Sequence, residues 1–423
     1  MAHVVVVGAG IGGMPAAYQL RAELDIRHQV TMVSRLDYFQ FVPSNPWVAV
    51  GWRDRQSITV ALRPHLEAKG IGLILAAVAR IDPAAKCLEL ADGQNLEYDF
   101  LVLATGPELA FDEVPGAGPA AGHSQSVCTV DHADRAWAAY RRLLDEPGPL
   151  VVGALPGASC FVPAYEFVFM LDADLRKRHL RERHSITFVT CEPHIGHLGL
   201  GGVGDSRALL QQNMARRGID WVINARVTEV KHGRLQLEQL SPAGGAPEPI
   251  ELPFNYAMLM PAFRGGDLLA GVEGLTDERG FVLVDEHQRS PRYSSIYALG
   301  VCVAVPPVDP HTPVPTRAPV SGYMIECMVN VVVQNIGDEL AQRELTAKAD
   351  CHAVCLMDMG ANGIAFAAVP QMPPRELDWL RQGRWVHLAK VAFEKYFLRK
   401  IKNGTSEQIY DRYVLKMMGI TKH

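Results

Sequence analysis

The chain begins with short, unbroken apolar runs that alternate with a segment of helical spacing. Val4 to Val7 form the first run, and Met14 to Leu24 place apolar residues every three or four positions. A second run extends from Val30 to Val33. Because strands that are buried on both faces lack polar alternation, such runs are typical of a parallel sheet. The order predicts a β-α-β unit at the N-terminus.

The turn between this first strand and helix has the glycine spacing of a dinucleotide-binding fold. Gly8, Gly10 and Gly13 give the pattern G-x-G-x-x-G directly after the strand. Glycines in this turn let the backbone approach a diphosphate, which the N-terminus of the helix then holds. The acidic residue that would bind a ribose after the second strand is replaced by Ser34 and Arg35. Since the hydroxyl of Ser34 can still donate to a ribose, we predict a nucleotide site with an incomplete signature.

Further apolar runs predict a second nucleotide-binding fold inserted into the first. Its strands are expected at Pro149 to Gly153, Ile186 to Thr190 and Tyr256 to Met260. A chain of 423 residues is also too long for one core, because single cores stop growing at roughly 250–300 residues.

Two segments resemble the points where flavoproteins with two such folds return to the first one. The apolar run from residue 100 ends in Ala104, Thr105 and Gly106, which is similar to the A-T-G segment of those proteins. Ser295 to Gly300 resembles their last strand, although Val301 stands where an Asp is usual.

These elements predict an α/β protein with two Rossmann-like dinucleotide-binding domains and a C-terminal region of amphipathic helices. The first domain is expected at residues 1–110 and again at 266–345. The second domain, with Cys128 and Cys160, is expected at 111–265, and the C-terminal region at 346–423.

The C-terminal region is basic as well as amphipathic. Arg384 to His423 contain nine Lys or Arg and three Asp or Glu, a local balance of +6, whereas the whole chain carries −5. Helical spacing predicts one helix at about Arg384 to Lys402 and a second after Ser406, with Tyr410 on its apolar face. A basic amphipathic helix is typical of an anionic membrane interface. Packing of these faces on the protein body or in a homo-oligomer is the alternative.

The sequence predicts neither a signal peptide nor a membrane span. Met1 to Gly13 lack a basic n-region. A long uncharged stretch, Pro147 to Tyr165, contains four prolines and three glycines, which suits a strand and turn. We therefore expect a peripheral, monotopic protein of the bacterial cytoplasmic membrane. The net charge gives no reason to expect nucleic acid as a partner.

The turn after the first strand of the second fold differs from a nicotinamide-binding turn. Residues Gly153 to Cys160 read G-A-L-P-G-A-S-C, without the G-x-G-x-x-G spacing. Cys160 is expected at the N-terminus of the next helix, where the helix dipole would lower the thiol pKa and favour the thiolate. Sulfur chemistry is therefore predicted in place of nicotinamide binding.

Seven ordered segments resemble the type I sulfide:quinone oxidoreductases along nearly the whole chain. The segments are Asp37 to Trp47, Cys128 to His132, Gly157 to Cys160 with Pro163 to Glu166, Ile195 to Gly199, Gly322 to Glu326, Val354 with Cys355, and Trp385 to Phe393.

The resemblance implies FAD as the cofactor and a quinone, such as ubiquinone, as the electron acceptor. A helix predicted from about Gly322 to Ile336 would direct N–H groups at the flavin pyrimidine oxygen. The residues expected to contact FAD are Gly8, Gly10, Gly13, Ser34, Arg35, Pro43, Ser44, Ala104, Thr105, Gly106, Gly300, Gly322 and Lys390.

The resemblance also implies that hydrogen sulfide reacts at cysteines. Cys160 and Cys355 would form a redox pair beside the flavin, with Cys355 reaching its reactive carbon, and Cys128 would help release polysulfide. Glu166, His132 and His197 would then handle protons. The remaining cysteines are expected to be ordinary core or surface residues, and Cys351 with Cys355 lacks the second pair that a metal clip needs.

On the quinone side, the resemblance implies that the cation of Lys390 stabilises reduced flavin. Phe393 would stack on the quinone ring, and either Val354 or Leu356 would form the opposite wall. Tyr410 is expected to join this quinone site.

Three other functions fit parts of the sequence. The flavoprotein subunit of flavocytochrome c sulfide dehydrogenase would normally be exported. A type II NADH:quinone oxidoreductase would need the nicotinamide turn, and a redox sensor would not need the segment of Lys390 and Phe393.

Overall fold

The computed structural model describes residues 1–241, 244–350 and 352–405. The strands, in chain order, are β1 (His3–Val7), β2 (Gln29–Ser34), β3 (Tyr38–Gln40), β4 (Thr59–Ala61), β5 (Gly72–Leu75), β6 (Val78–Asp82), β7 (Cys87–Leu90), β8 (Asn95–Glu97), β9 (Phe100–Leu103), β10 (Glu108–Leu109), β11 (Leu150–Ala154), β12 (Ile186–Thr190), β13 (Ile219–Val222), β14 (Ala225–Lys231), β15 (Arg234–Gln239), β16 (Glu248–Pro253), β17 (Tyr256–Met260), β18 (Phe263–Arg264), β19 (Ile296–Ala298), β20 (Ala353–Asp358), β21 (Gly363–Val369) and β22 (Leu377–Gly383).

Helices connect and cover these strands. In chain order they are α1 (Gly13–Glu23), α2 (Asn45–Ala49), α3 (Arg55–Ile58), α4 (Arg63–Glu67), α5 (Gly118–Ala121), α6 (Val130–Asp145), α7 (Val162–Lys177), α8 (Ser206–Arg217), α9 (Gly322–Leu340) and α10 (Arg384–Asn403).

The N-terminal valines lie at the centre of a five-stranded parallel sheet. Its order is β19-β9-β1-β2-β5. Val4, Val5 and Val6 are completely buried, because the sheet is covered on both faces. Full burial of each such side chain contributes about 1.5–3 kcal/mol. The loops after β1, β9 and β19 all lie at the carboxyl edge of this sheet, where open α/β sheets bind ligands.

The second sheet has the order β13-β12-β11-β17 and is also parallel. Its strands β12 and β17 have the predicted bounds, and β11 is displaced by one residue. Helix α7 packs on β11 and β17 and also contacts β20 of the C-terminal sheet. The turn between β11 and α7 is therefore held between the second fold and the C-terminal region.

The C-terminal region adds an antiparallel sheet, β20-β21-β22, and the long helix α10. Helix α10 packs on all three of these strands and on β4 and α4 of the first fold. Its buried face consists of Val386, Lys390, Glu394, Phe397, Leu398, Lys400 and Ile401. The C-terminal region thus joins the two nucleotide-binding folds.

The sequence predicted α9 and α10 correctly, and α9 continues four residues beyond its expected end. The second tail helix and Tyr410 lie outside the described residues. In the part of the chain that the structure describes, no helix is long and apolar enough to cross a bilayer. The domain boundaries at residues 110, 265 and 345 stay a prediction.

Candidate active site

The carboxyl edge of the first sheet presents backbone rather than side chains. Gly8 has a φ of +106°, and a Cβ there would lie 2.3 Å from the carbonyl oxygen of Ala104. A Cβ on Gly13 would lie 1.8 Å from the carbonyl oxygen of Gly8, so the close packing of α1 on the sheet requires glycine at both positions. Among the residues that the structure describes, none lies within 4 Å of a Cβ built on Gly10. The turn leaves open space before the N-terminus of α1, which fits a diphosphate.

Three other segments face this edge. Gly106, with a φ of +69°, and Gly322, the first residue of α9, both adjoin open space. The hydroxyl of Ser321 caps α9 by accepting a hydrogen bond from the N–H of Met324 at 3.3 Å. Gly300 adopts a φ of +82° and lies against the first turn of α9. The predicted cofactor segments therefore meet along one edge.

Two predicted cofactor contacts have protein partners instead. The buried hydroxyl of Ser34 donates to the carbonyl oxygen of Leu36 at 2.8 Å, beside the exposed Arg35. The hydroxyl of Ser44 is completely buried and donates to the carboxylate of Glu394 at 2.5 Å. The preceding residue, Pro43, is half-buried. Contacts of these residues with a cofactor stay predictions.

Three cysteines come together from distant parts of the chain. Cys128 precedes α6, Cys160 lies between β11 and α7, and Cys355 lies on β20; all three are free thiols. Burial, with a smaller contribution from the charge of an ionised Cys160, raises the pKa of Cys128 and of Cys355 to about 12. Cys160 thus lies within electrostatic reach of both other thiols.

The expected low pKa of Cys160 is wrong. Helix α7 begins at Val162, two residues after the cysteine, and burial raises the pKa of the Cys160 thiol to about 11. Removal of the thiolate from water outweighs the field of the helix terminus. A thiolate at this position therefore forms only when a nearby base accepts the thiol proton or when a disulfide to Cys160 is cleaved.

Glu166 and Lys390 form a buried ion pair next to Cys355. Their side chains are 4% and 5% exposed. Burial raises the pKa of Glu166 to about 7, Lys390 opposes that rise, and the carboxylate of Asp358 adds to it. Both members of the pair also act electrostatically on Cys355. The acid and the cation predicted from the sequence are thus adjacent.

Asp358, which the sequence did not indicate, organises the surroundings of this pair. Its buried carboxylate accepts hydrogen bonds from Trp47 Nε1 at 2.8 Å and from the His387 ring at 2.9 Å. The ring of Trp47 in turn lies 5.3 Å from Lys390 Nζ. The backbone N–H of Asp358 donates to Glu166 at 3.4 Å.

The two predicted histidines lie in different parts of the fold. His132 lies in the first turn of α6, with its ring against Phe111 and its Nδ1 buried without a hydrogen-bond partner among the described residues. Burial lowers the pKa of His132. His197 lies in the loop after β12, and burial lowers its pKa to about 4.

The hydrogen bonding of His197 defines its tautomer. The N–H of Gly199 donates to His197 Nδ1 at 3.2 Å, so Nε2 carries the proton of the neutral ring. That Nε2 lies 3.8 Å from a carboxylate oxygen of Asp309. His197 is therefore a neutral donor near neutral pH.

Apolar side chains lie beside Lys390. Phe393, one turn later on α10, packs against Phe41, with ring centroids 5.5 Å apart. Val354 is buried against Tyr323, whereas Leu356 is half-buried. Contacts of these residues with a quinone stay predictions.

Sequence reasoning missed Asp358, Glu394, Glu192 and Tyr165 as polar residues around the site. Each carries a buried polar atom whose partners are far away in the chain or lie across a turn. Glu394, for example, binds Ser44 from 350 residues away and also pairs with Arg53 at 3.0 Å. The sequence signal for Glu394 was an acidic residue within the apolar face of a predicted helix.

Two nucleotide-binding folds, each built on a parallel sheet, together with a cluster of three cysteines define the class of disulphide-type oxidoreductases. The model of the pyridine nucleotide-disulphide oxidoreductase family matches residues 2–324. The structure of NDH2 from Plasmodium falciparum in complex with NADH shares this fold, with a TM-score of 0.71 over 96% of this chain and 100% of that chain, at 13% identity.

The similarity to one group within that class is much greater. The chain is 38% identical to the sulfide-quinone reductase of Aquifex aeolicus over 418 residues, which are 98% of this chain and 94% of that protein. The crystal structure of the Aquifex aeolicus sulfide:quinone oxidoreductase superposes with a TM-score of 0.94, covering 100% of this chain and 96% of that chain at 37% identity. The chain belongs to the sulfide-quinone reductase family.

The cofactor of this family is FAD, and the residues of the first fold fit it. The open spaces at Gly10, Gly106 and Gly322 follow one edge of the sheet. These segments would hold the diphosphate and the pyrimidine end of FAD at the N-termini of α1 and α9.

Proposed function

We propose that the protein oxidises hydrogen sulfide to polysulfide or elemental sulfur and delivers two electrons to a quinone. FAD, when bound, accepts the two electrons from sulfur and donates them to the quinone. One observation carries this proposal: Cys355 lies within electrostatic reach of both Cys160 and the buried Glu166–Lys390 pair. A sulfur site and an acid–cation site thus adjoin one cysteine.

Sulfide enters by thiol–disulfide exchange at the cysteine pair. When Cys160 and Cys355 are joined, HS⁻ attacks one sulfur, the S–S bond breaks, and a persulfide and a thiolate form. Because burial raises the pKa of both thiols, the leaving thiolate is stabilised by taking up a proton. Cys128, within reach of Cys160, helps release the sulfur chain.

The Glu166–Lys390 pair serves the quinone. The ammonium group of Lys390 stabilises negative charge that develops as electrons arrive. A carboxyl with a pKa of about 7 can donate a proton at neutral pH, and a quinol requires two protons. Phe393 and the side chains flanking Cys355 supply apolar walls.

The exposed face of α10 supports peripheral contact with the cytoplasmic membrane, from which a quinone would enter. Trp385 is 40% and Leu388 is 66% exposed. Lys395 and Arg399 are exposed farther along the helix. Exposed aromatic and aliphatic residues next to cations are typical of a protein that lies on a bilayer.

The turn of the second fold argues against a nicotinamide substrate. A Cβ on Gly153 would lie 1.8 Å from the carbonyl oxygen of Val189, so this glycine serves strand packing. Leu155 stands where the second glycine of a nicotinamide-binding turn would be, and Pro156 follows it.

Anaerobic addition of sulfide to the FAD-loaded protein tests the function. The flavin absorbance should bleach, and decylubiquinone should restore it, whereas NADH should leave it unchanged. If sulfide leaves the flavin oxidised, the proposed function is wrong.

A further inference from the structure

The loop from Cys191 to Gly204 packs against the turn that contains Cys160. It contains His197 and five glycines with positive φ: Gly196, Gly199, Gly201, Gly202 and Gly204. A Cβ on Gly199 would lie 3.3 Å from the ring of Phe161, the residue after Cys160. The Cys191 sulfur is hydrogen-bonded to the backbone at residues 157 and 158, in the same turn. A loop with this glycine content needs external contacts to hold one conformation.

Two buried side chains hold the backbone on both sides of His197. The Tyr165 hydroxyl accepts a hydrogen bond from the N–H of Gly196 at 2.9 Å. The Glu192 carboxylate accepts one from the N–H of Leu198 at 2.6 Å. The hydroxyl of Tyr165 also donates to Glu192 at 2.7 Å, which joins the two contacts.

This pair is fixed by the body of the second fold. Tyr165 lies on α7, is completely buried, and stacks on Phe188 of β12 with ring centroids 4.5 Å apart. Glu192 is also completely buried, and its carboxylate accepts a third hydrogen bond, from the Thr190 hydroxyl at 2.7 Å. Two rigid elements therefore determine where the loop lies.

The position of Glu192 is informative. It follows β12, the second strand of the second fold, by two residues. In a nicotinamide-binding Rossmann fold, an acidic residue near the end of this strand binds the ribose. Here the acid points into the core and binds protein donors.

We propose that Glu192 and Tyr165 are positioning residues that fix the loop of His197 against the turn that contains Cys160, so that an acid at the ribose-binding position serves the sulfide site. The inference rests on the proposed function, because it assigns His197 to the reaction with sulfide. The two residues act through the backbone of positions 196 and 198, while Gly199 fixes the histidine tautomer.

Two substitutions test this role of the Tyr165–Glu192 pair, which we call the clamp. Tyr165→Phe removes the hydroxyl that links Gly196 to Glu192, and Glu192→Gln keeps the size of the side chain but removes its charge. Tyr140→Phe is the matched control, because it removes another buried tyrosine hydroxyl, which donates to Asp174 at 2.8 Å in the same fold.

Stopped-flow reduction of the FAD-loaded protein by sulfide is the first measurement. The limiting rate should fall about tenfold in both clamp variants, since small misplacement of a reacting group costs one to two orders of magnitude. The sulfide concentration for half-saturation and the rate of reoxidation by decylubiquinone should stay unchanged. In the His197→Ala background, Tyr165→Phe should cause no further loss.

Hydrogen exchange supplies a readout that does not depend on activity. The peptide spanning 191–204 should exchange faster in both clamp variants than in the wild type and in Tyr140→Phe. Unchanged exchange, unchanged reduction by sulfide, or losses that multiply with His197→Ala would each overturn the clamp. Wild-type protein that sulfide does not reduce would instead overturn the proposed function, and the clamp with it.

Discussion

Glu166 and Lys390 are 224 residues apart in the chain, and their side chains form a buried ion pair. Glu166 lies on α7 of the second fold, and Lys390 lies on α10 of the C-terminal region. The pair therefore exists only when these two parts of the protein are assembled. Since burial makes each charge depend on its partner, loss of either one should affect the other directly.

Lys390→Met should slow the quinone reaction. Without the ammonium group, only the hydrogen bond from the backbone N–H of Asp358 opposes the effects of burial and of the Asp358 charge, so the pKa of Glu166 should rise above about 7. We expect reoxidation by decylubiquinone to slow about 10²-fold, the effect typical of losing one preorganised electrostatic contact. Lys395→Met changes an exposed lysine on the same helix and is the control. Equal rates in the two variants would show that Lys390 has no such role.

Cys160→Ala and Cys355→Ala should each abolish reduction of the flavin by sulfide while FAD stays bound. Both substitutions remove a sulfur that the exchange reaction needs. Flavin absorbance before and after anaerobic sulfide addition measures both properties. Cys87→Ala, a half-buried cysteine on β7, should behave like the wild type. Full activity in Cys160→Ala or in Cys355→Ala would contradict the proposed role of that cysteine in the reaction with sulfide.

The reduced thiols of Cys160 and Cys355 should react slowly with iodoacetamide at neutral pH. Because burial raises the pKa of Cys160 to about 11 and of Cys355 to about 12, the reactive thiolate is scarce there. The alkylation rate of Cys160, followed by mass spectrometry of the holoenzyme, should increase steadily above pH 8. A plateau reached below pH 7 would indicate an activated thiolate and refute the raised pKa.

Glu192 should make stability depend on pH. Burial raises its pKa from 4.5 to about 7 in the folded protein. A raised carboxyl pKa contributes stability below the unfolded value, and this contribution is lost as the pH rises from about 4.5 through 7. Relative to the wild type, Glu192→Gln should therefore gain up to roughly 3 kcal/mol in free energy of unfolding over that range. Urea unfolding at pH 5 and pH 8 measures the difference, and a constant difference would contradict it.

Gly10→Ala should separate folding from cofactor binding. Its Cβ would enter the open space of the first glycine turn without touching the protein, so the fold should persist while FAD binds more weakly. Gly337→Ala, within α9, is the control, because its added Cβ also has no neighbour within 4 Å among the described residues. FAD titration of the apoproteins checks this. Equal affinities in the two variants would place the diphosphate elsewhere.

The sequence predicted the parallel sheets because buried strands leave a visible pattern. The run from Val4 to Val7 and the strand from Ile186 to Thr190 are apolar or β-branched throughout and end in turns. The glycine turn was equally readable, since Gly8 and Gly13 are required by backbone packing alone.

The polar surroundings of the site were not readable in the same way. The pKa of Cys160 depends on how much protein packs over it, which outweighs its place near a helix terminus. Asp358 lies in a strand, and its partner Trp47 is 311 residues away. Such contacts arise from tertiary packing and leave no local periodicity.

Tyr165 and Glu166 are consecutive residues of α7, and our proposals assign them to different reactions. One side chain holds the loop of His197, and the next binds Lys390. A rotation or sliding of this single helix would disturb sulfide entry and quinone reduction simultaneously. Substitutions that change the quinone preference through residues that support α7 should therefore also change the rate of the reaction with sulfide.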